Sequence, residues 1–213
     1  MITSNSFNEQ NKPAACGSSR IVGCRFSLFP MSGHFVPIIL GALENTDTSK
    51  VWIKSDDIST CVRGRHEHVF DVVQSIFLQA AKSGEHVVLS ATFSVGCPGD
   101  TEGDVFMSED DVRLNKDTGS AVDTAVQFAL YPMGVPHYMD VIYNAVKTAE
   151  IEGTFSGGIH YASRLDGDAH QVFRSLENAF VASSIQTSHL VMTATISCNS
   201  PSAKPDHVQN KGE

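Results

Sequence analysis

The sequence predicts an α+β fold made of two tandem β-α-β-β-α-β units with antiparallel sheets. Three observations carry that prediction. The phrase "CRFSLFPM" (Cys24 to Met31) returns as "VQFALYPM" (Val126 to Met133). The two copies keep a constant spacing, and each has the same order of strand-like and helix-like segments.

The opening phrases align with an offset of 102, which pairs Phe26 with Phe128, Leu28 with Leu130 and Pro30 with Pro132. One residue is gained around "GVPH", and the offset is 103 thereafter. Ala42 then meets Ala145, Trp52 meets Phe155, Gly64 meets Gly167 and Phe77 meets Phe180. A spacing held across so many residue types marks a duplicated unit of about 75–80 residues. The expected organisation is an arm over 1–19, repeat one over 20–97, an acidic linker over 98–122, repeat two over 123–200 and a disordered tail over 201–213. The linker's acids lack the order of a calcium loop, so it reads as solvated.

Each element has its own signal. "IVGCRFSLF" alternates and is rich in β-formers, which predicts a strand. "GHFVPIILGALEN" carries apolar residues at helical spacing, with Pro37 near its start, where a missing N–H is tolerated. "KVWIK" and "ISTCVRG" read as short strands around the turn "SDD". In the second copy "TFS" and "IHYAS" flank "GG", which predicts the turn there. "HVFDVVQSIFLQAAK" puts Val69, Val72, Val73, Ile76, Phe77 and Ala80 on one helix face. "HVVLSATFSV" closes the unit as a strand. The order is the ferredoxin-like arrangement, twice.

Such a unit has helices on one sheet face only. Alternation points Cys24, Phe26 and Leu28 toward the helices and Arg25, Ser27 and Phe29 away from them. Gln127, Ala129 and Tyr131 point outward in the second copy, as do His86, Val88, Ser90, Thr92 and Ser94 in the closing strand of the first. The outward face is mixed and poor in lysine. It suits burial against another sheet, either as a plain dimer interface or with hydrogen-bonding pockets left between.

Lys plus Arg number 15 against 24 acids, a formal charge of −9, which argues against a nucleic-acid surface because phosphate binding needs clustered cations. No apolar run reaches the roughly 20 residues of a membrane span. The polar start lacks the apolar core of a secretory signal. Five cysteines without paired spacing read as free thiols in a reducing compartment, so a cytoplasmic location is expected.

No phosphate loop, dinucleotide fingerprint, nucleophile elbow or zinc-protease helix is present. His66 and His68 diverge on a helix and make a poor metal pair. Asp166 and Asp168 precede a helix, where capping explains them. His86 and His189 occupy matching places and read as structural. Cys61 and Cys198 lie within strands, with no helix terminus or basic neighbour in sequence to activate them.

The ordered series "CGSSRIVGCRFSLFPM", "TDTSKVW", "ISTCVRG", "TFSVGCPGDTEGD", "QFALYPM" and "HYASRLDGDAHQVF" resembles the YkoF family of thiamin/hydroxymethylpyrimidine-binding proteins, from about Cys16 to about Ser202. The resemblance implies tandem ferredoxin-like repeats, a homodimer, a pyrimidine site in each repeat, a link to thiamin uptake or salvage, and no catalytic activity or cofactor. An aminopyrimidine presents an amino donor beside ring-nitrogen acceptors, which a strand backbone and a hydroxyl can meet. In repeat one the expected contacts are the Leu28 backbone and the Thr60 hydroxyl, with Arg25, Ser27 and Asp57 nearby. In repeat two Leu130 and Ser163 take those places, with Gln127 and His160. Trp52 and Phe155 offer ring faces or core packing. A small dimeric ferredoxin-like enzyme and a ligand-sensing regulatory module stand as alternatives.

Overall fold

A computed structural model describes residues 21–97, 108–115 and 121–204. The expected N-terminal arm, and the tail beyond residue 204, lie outside the described residues. Repeat one contains β1 (Val22–Pro30), α1 (Phe35–Glu44), β2 (Trp52–Ser55), β3 (Thr60–Gly64), α2 (His66–Ala81) and β4 (Val87–Val95). Repeat two contains β5 (Asp123–Met133), α3 (Tyr138–Ile151), β6 (Phe155–Ile159), β7 (Ala162–Asp168), α4 (Ala169–Ser184) and β8 (His189–Cys198). Both repeats are ferredoxin-like. They share one eight-stranded antiparallel sheet in the order β2-β3-β1-β4-β8-β5-β7-β6.

The join explains why both copies end on such similar strands. In the β4–β8 ladder Ala91 pairs with Ala194, its own equivalent in the other repeat. A residue that pairs with its own equivalent lies on a twofold axis, so a pseudo-twofold passes through this pair. Two edges that would otherwise stand open are thereby paired. The helices form one layer in the order α1-α2-α4-α3. The six residues of the α2 face are all buried. Across the axis Phe70 meets Phe180 and Phe77 meets Phe173, each pair with ring centroids 5.9 Å apart, and Phe70 stacks on Phe93 at 4.4 Å.

Two local expectations are corrected. Gly157 and Gly158 do not form the second hairpin turn; they belong to β6, and the turn is made by His160 and Tyr161. A register shift between Phe155 and Gly157 absorbs one residue, and Gly157 supplies the positive φ of 138° that the bulge needs. Phe155 therefore sits opposite Leu165, the place of Ile53 rather than of Trp52, and packs on the core. Trp52 lies on the other sheet face, with the Arg63 guanidinium 5.4 Å from its ring centre.

The acidic linker is also more than solvated chain. Residues 108–115 form a strap over α2 and α4 because both helices bury carboxylates that need donors. Asp71 accepts from the backbone N–H groups of Leu114 and Asn115 and from Asn115 Nδ2 at 3.2, 3.1 and 2.8 Å. Glu177 accepts from Arg113 Nη2 at 2.7 Å. Burial pushes the Glu177 carboxyl up from its ordinary value, and Arg113 opposes that only in part.

Candidate functional site

A concavity on the helix side of the sheet lies in repeat two, between β5, α3 and the β6–β7 hairpin, with a volume of about 760 Å³. Strand alternation brings Phe128 and Leu130 to it from β5, and Ser163 stands beside them from β7. Helix α3 lends Tyr138, Met139, Ile142 and Tyr143, and the hairpin tip lends Ile159 and Tyr161. No charged side chain lines it among the described residues. Gly158 stands opposite Ser163 in the ladder, so no β6 side chain takes up the hydroxyl from across the strand pair.

Repeat one places Leu28 and Thr60 at the equivalent positions, also on the helix side. Thr60 is buried, and its Oγ1 lies 2.8 Å from Ser55 Oγ, the residue that replaces Gly158. The hairpin tip is tied down from the opposite face. Arg25 Nη1 donates to Asp56 Oδ2 at 3.1 Å and to Ser59 Oγ at 2.8 Å, while Ser27 Oγ donates to the Ile58 carbonyl at 2.9 Å. Asp56 in turn accepts from the Ile58 and Ser59 backbone N–H groups. Those N–H groups, followed by Arg25, hold its carboxyl below the ordinary aspartate value. In repeat two the tying residues become Gln127, Ala129 and Ile159, so none of these ties can form.

The structure thus puts Leu28 and Thr60, and Leu130 and Ser163, on the same sheet face of neighbouring strands, while the direct ladder partners of Thr60 and Ser163 are Phe26 and Phe128. Arg25 and Ser27 hold the hairpin from the other side of the sheet, and Asp57 is exposed in the turn. His160 is exposed at the second hairpin tip, its ring centre 6.4 Å from that of Tyr161.

The repeated chain has a counterpart among known proteins. The model of the YKOF-related family matches residues 21–100 and again 123–203, one match per repeat. The chain belongs to that family. A YkoF protein of Bacillus subtilis (strain 168), named "Putative HMP/thiamine-binding protein YkoF", is 53% identical over 191 residues, covering 89% of this chain and 96% of that one.

The open sheet face of this YkoF-related chain holds a separate cavity of about 450 Å³, lined by Gln127, Asp123, Arg164, Thr195, Ser197 and Lys204 among others. Its charges are already matched: Arg164 pairs with Asp166 at 2.7 Å and Lys204 with Asp123 at 2.6 Å. Asp168 caps α4 by accepting from the His170 backbone N–H. The Cys198 thiol is pushed up to about 11 by burial, and burial raises the Cys24 thiol well above its ordinary value too. Neither is poised as a nucleophile. Among the described residues no group of three His, Cys, Asp or Glu could hold a metal ion, and no helix is long and apolar enough to cross a membrane.

Sequence reasoning missed the mouth of the pocket. Parity along β1 and β5 drew attention to polar side chains, whereas the repeat-two pocket is walled by apolar and aromatic ones. One available signal was the crowding of every tyrosine in the chain between residues 131 and 161.

Proposed function

We propose that the chain is a non-catalytic binding protein for the pyrimidine of thiamin or of its hydroxymethylpyrimidine precursor, with one site in each repeat. The observation that carries the reading is the uncharged repeat-two pocket with Ser163 and the β5 backbone at Leu130 on its wall. A flat, neutral heterocycle with an amino donor and ring acceptors suits such walls. The name of the Bacillus subtilis relative supports the same ligand. Leu28 and Thr60 make the repeat-one contacts, and Arg25, Ser27 and Asp57 shape that mouth. His160 flanks the second at its hairpin tip, whereas Gln127 lies on the opposite sheet face, in the separate cavity. The role is uptake or salvage of the vitamin in the cytoplasm, and the free thiols of Cys24, Cys97 and Cys198 agree with a reducing compartment.

The protein works as a homodimer through the open sheet face, where Ser27, Ser90, Thr92, Thr193 and Thr195 present short hydroxyls and few charges. Light scattering at micromolar concentration should give twice the 23.0 kDa chain mass. A species of single-chain mass would overturn the dimer.

Calorimetric titration with thiamin, hydroxymethylpyrimidine and a thiazole fragment tests the binding reading. The first two should bind and the third should not. Equal heats from the thiazole fragment, or degradation of thiamin beyond one equivalent, would overturn it.

A further inference from the structure

The contact between α2 and α4 has two ends, related by the pseudo-twofold, and they are closed in different ways. At one end Gln74 Nε2 of α2 lies 2.6 Å from His170 Nδ1 of α4. At the other end the equivalent residues are Glu177 of α4 and Glu67 of α2, two acids whose side chains are 9% and 19% exposed. Burial raises the Glu177 carboxyl and the Glu67 charge adds to that, while Arg113 and His66 oppose both. Arg65 and His66 lie 3.4 and 3.3 Å from Glu67, on its own helix. The close cation on Glu177 is Arg113, which comes from neither helix but from the 108–115 strap. Two half-desolvated acids facing one another repel, so this end of the contact needs the strap's positive charge.

The same strap is fastened to repeat one. Asn115 pairs with the Asp47 backbone in both directions: its Oδ1 accepts from the Asp47 N–H at 2.8 Å and its Nδ2 donates to the Asp47 carbonyl at 2.9 Å. Lys50 Nζ donates to the Asp110 carboxylate and to the Val112 carbonyl, and His68 Nε2 lies 2.8 Å from the Asp110 carbonyl oxygen. Asp47 and Lys50 belong to the loop that leads from α1 into edge strand β2, which starts at Trp52 and ends at Ser55, the partner of Thr60. Repeat two has Glu150, Gly153 and Arg174 in place of Asp47, Lys50 and Asp71, so it lacks the lysine and the carboxylate that fasten the strap.

We infer that the 108–115 strap is a one-sided latch between the repeats. Seating Arg113 on Glu177 of α4 fixes the α1–β2 loop and strand β2 of repeat one, and release of that contact loosens all three segments together. A segment held mainly by surface hydrogen bonds opens at lower free energy than the sheet beneath it. Repeat one therefore has a held and a loosened form, and the held form keeps Thr60 in its place on the pocket wall. The apparent affinity of that site scales with the fraction held. Repeat two has no such control. The effect on affinity rests on the pyrimidine reading above, whereas the latch itself does not.

Amide hydrogen exchange on the full chain tests the latch, with Arg113→Gln and Arg113→Lys as variants. Arg113→Gln should speed exchange about tenfold at the Leu114 and Asn115 amides, which donate to Asp71, and at the Asp47 amide, which donates to Asn115. Asp47 decides the matter, because it lies in repeat one while Arg113 acts on Glu177 of repeat two. The β4 amides and the Thr154 amide, which donates to the Ala149 carbonyl in repeat two, should keep their rates. Arg113→Lys keeps the charge and should restore most of the protection. An unchanged Asp47 amide would overturn the latch, and so would equal acceleration in β4, which means general loosening. Calorimetry with thiamin then reads the site: Arg113→Gln should weaken the repeat-one step by about three- to tenfold and leave the repeat-two step as it was. Faster exchange with both steps unchanged would overturn the control of affinity. If thiamin does not bind the unaltered protein, the pyrimidine reading fails, and exchange at Asp47 alone decides the latch.

Discussion

Arg25 Nη1 lies 3.1 Å from Asp56 Oδ2, tying strand β1 to the tip of the β2–β3 hairpin across 31 residues of chain. The equivalent residues in repeat two are Gln127 and Ile159, which cannot make that ion pair. The two pockets therefore share walls but differ in how firmly their hairpins are held.

Arg25→Gln should free the first hairpin without unfolding the repeat. Both partners are about half exposed, so solvent screens the pair and it adds little to global stability. The local effect should be clearer: the Ile58 and Ser59 amides, which donate to Asp56, should exchange with deuterium faster, while those of β4 keep their protection. Unchanged exchange at both amides would show that the turn does not need the arginine.

Acid should loosen the same hairpin. The Ser59 and Ile58 amides and then Arg25 favour the charged Asp56 carboxylate and lower its pKa in the folded protein. A group lowered in this way contributes stability above its unfolded value and loses it as pH falls through the folded one. The tie should hold above about pH 4 and fail progressively in more acidic solution. An NMR titration of Asp56 with its midpoint at or above that of an unstructured aspartate would contradict this.

The two hydroxyls should differ in their consequences for binding. Ser163→Ala removes a hydroxyl with no partner from across the strand pair and should weaken the repeat-two site by about 5- to 150-fold, the equivalent of about 1–3 kcal/mol. Thr60→Val should weaken the repeat-one site and also strand Ser55, its partner at 2.8 Å, so it should lower the melting temperature as well. Calorimetry and thermal melts on the two variants separate these effects. Equal melting temperatures would show that the Ser55–Thr60 bond contributes nothing to stability.

Phe180→Ala should damage both repeats at once. Its ring borders Phe70 and Phe93 of repeat one, and truncating a buried phenylalanine typically costs about 3–5 kcal/mol. Because the sheet is continuous, urea unfolding should remain a single transition at a lower midpoint. Two resolved transitions would mean that the repeats are stabilised separately.

Gly96→Ala should be markedly more harmful than Gly84→Ala. Both glycines have positive φ, but a Cβ at Gly96 would lie 1.7 Å from the Ser188 carbonyl oxygen, while nothing lies within 4 Å at Gly84. The equivalent of Gly96 in repeat two is Asn199, also left-handed at φ 53°, whose Nδ2 donates to the Glu85 carbonyl at 3.1 Å. Similar urea midpoints for the two glycine variants would show that the chain around Ser188 gives way easily.

The sequence by itself determined the duplication, the element order and the inward face of each strand, because these depend on periodicity and on a spacing that any reader of residues 24–198 can follow. It also singled out Leu28 with Thr60 and Leu130 with Ser163 as pairs, since equivalent positions in a repeat must share a place in the fold. Only the tertiary structure decided that the two sheets fuse through β4 and β8, that the 108–115 strap satisfies Asp71 and Glu177, and that Arg25 and Ser27 bind a hairpin. It also gathered Tyr138, Tyr143 and Tyr161, from a helix and a hairpin tip, around one cavity. Strand pairing between distant segments sets these relationships, and periodicity along a single strand tells a side chain's face but not the partner it meets there.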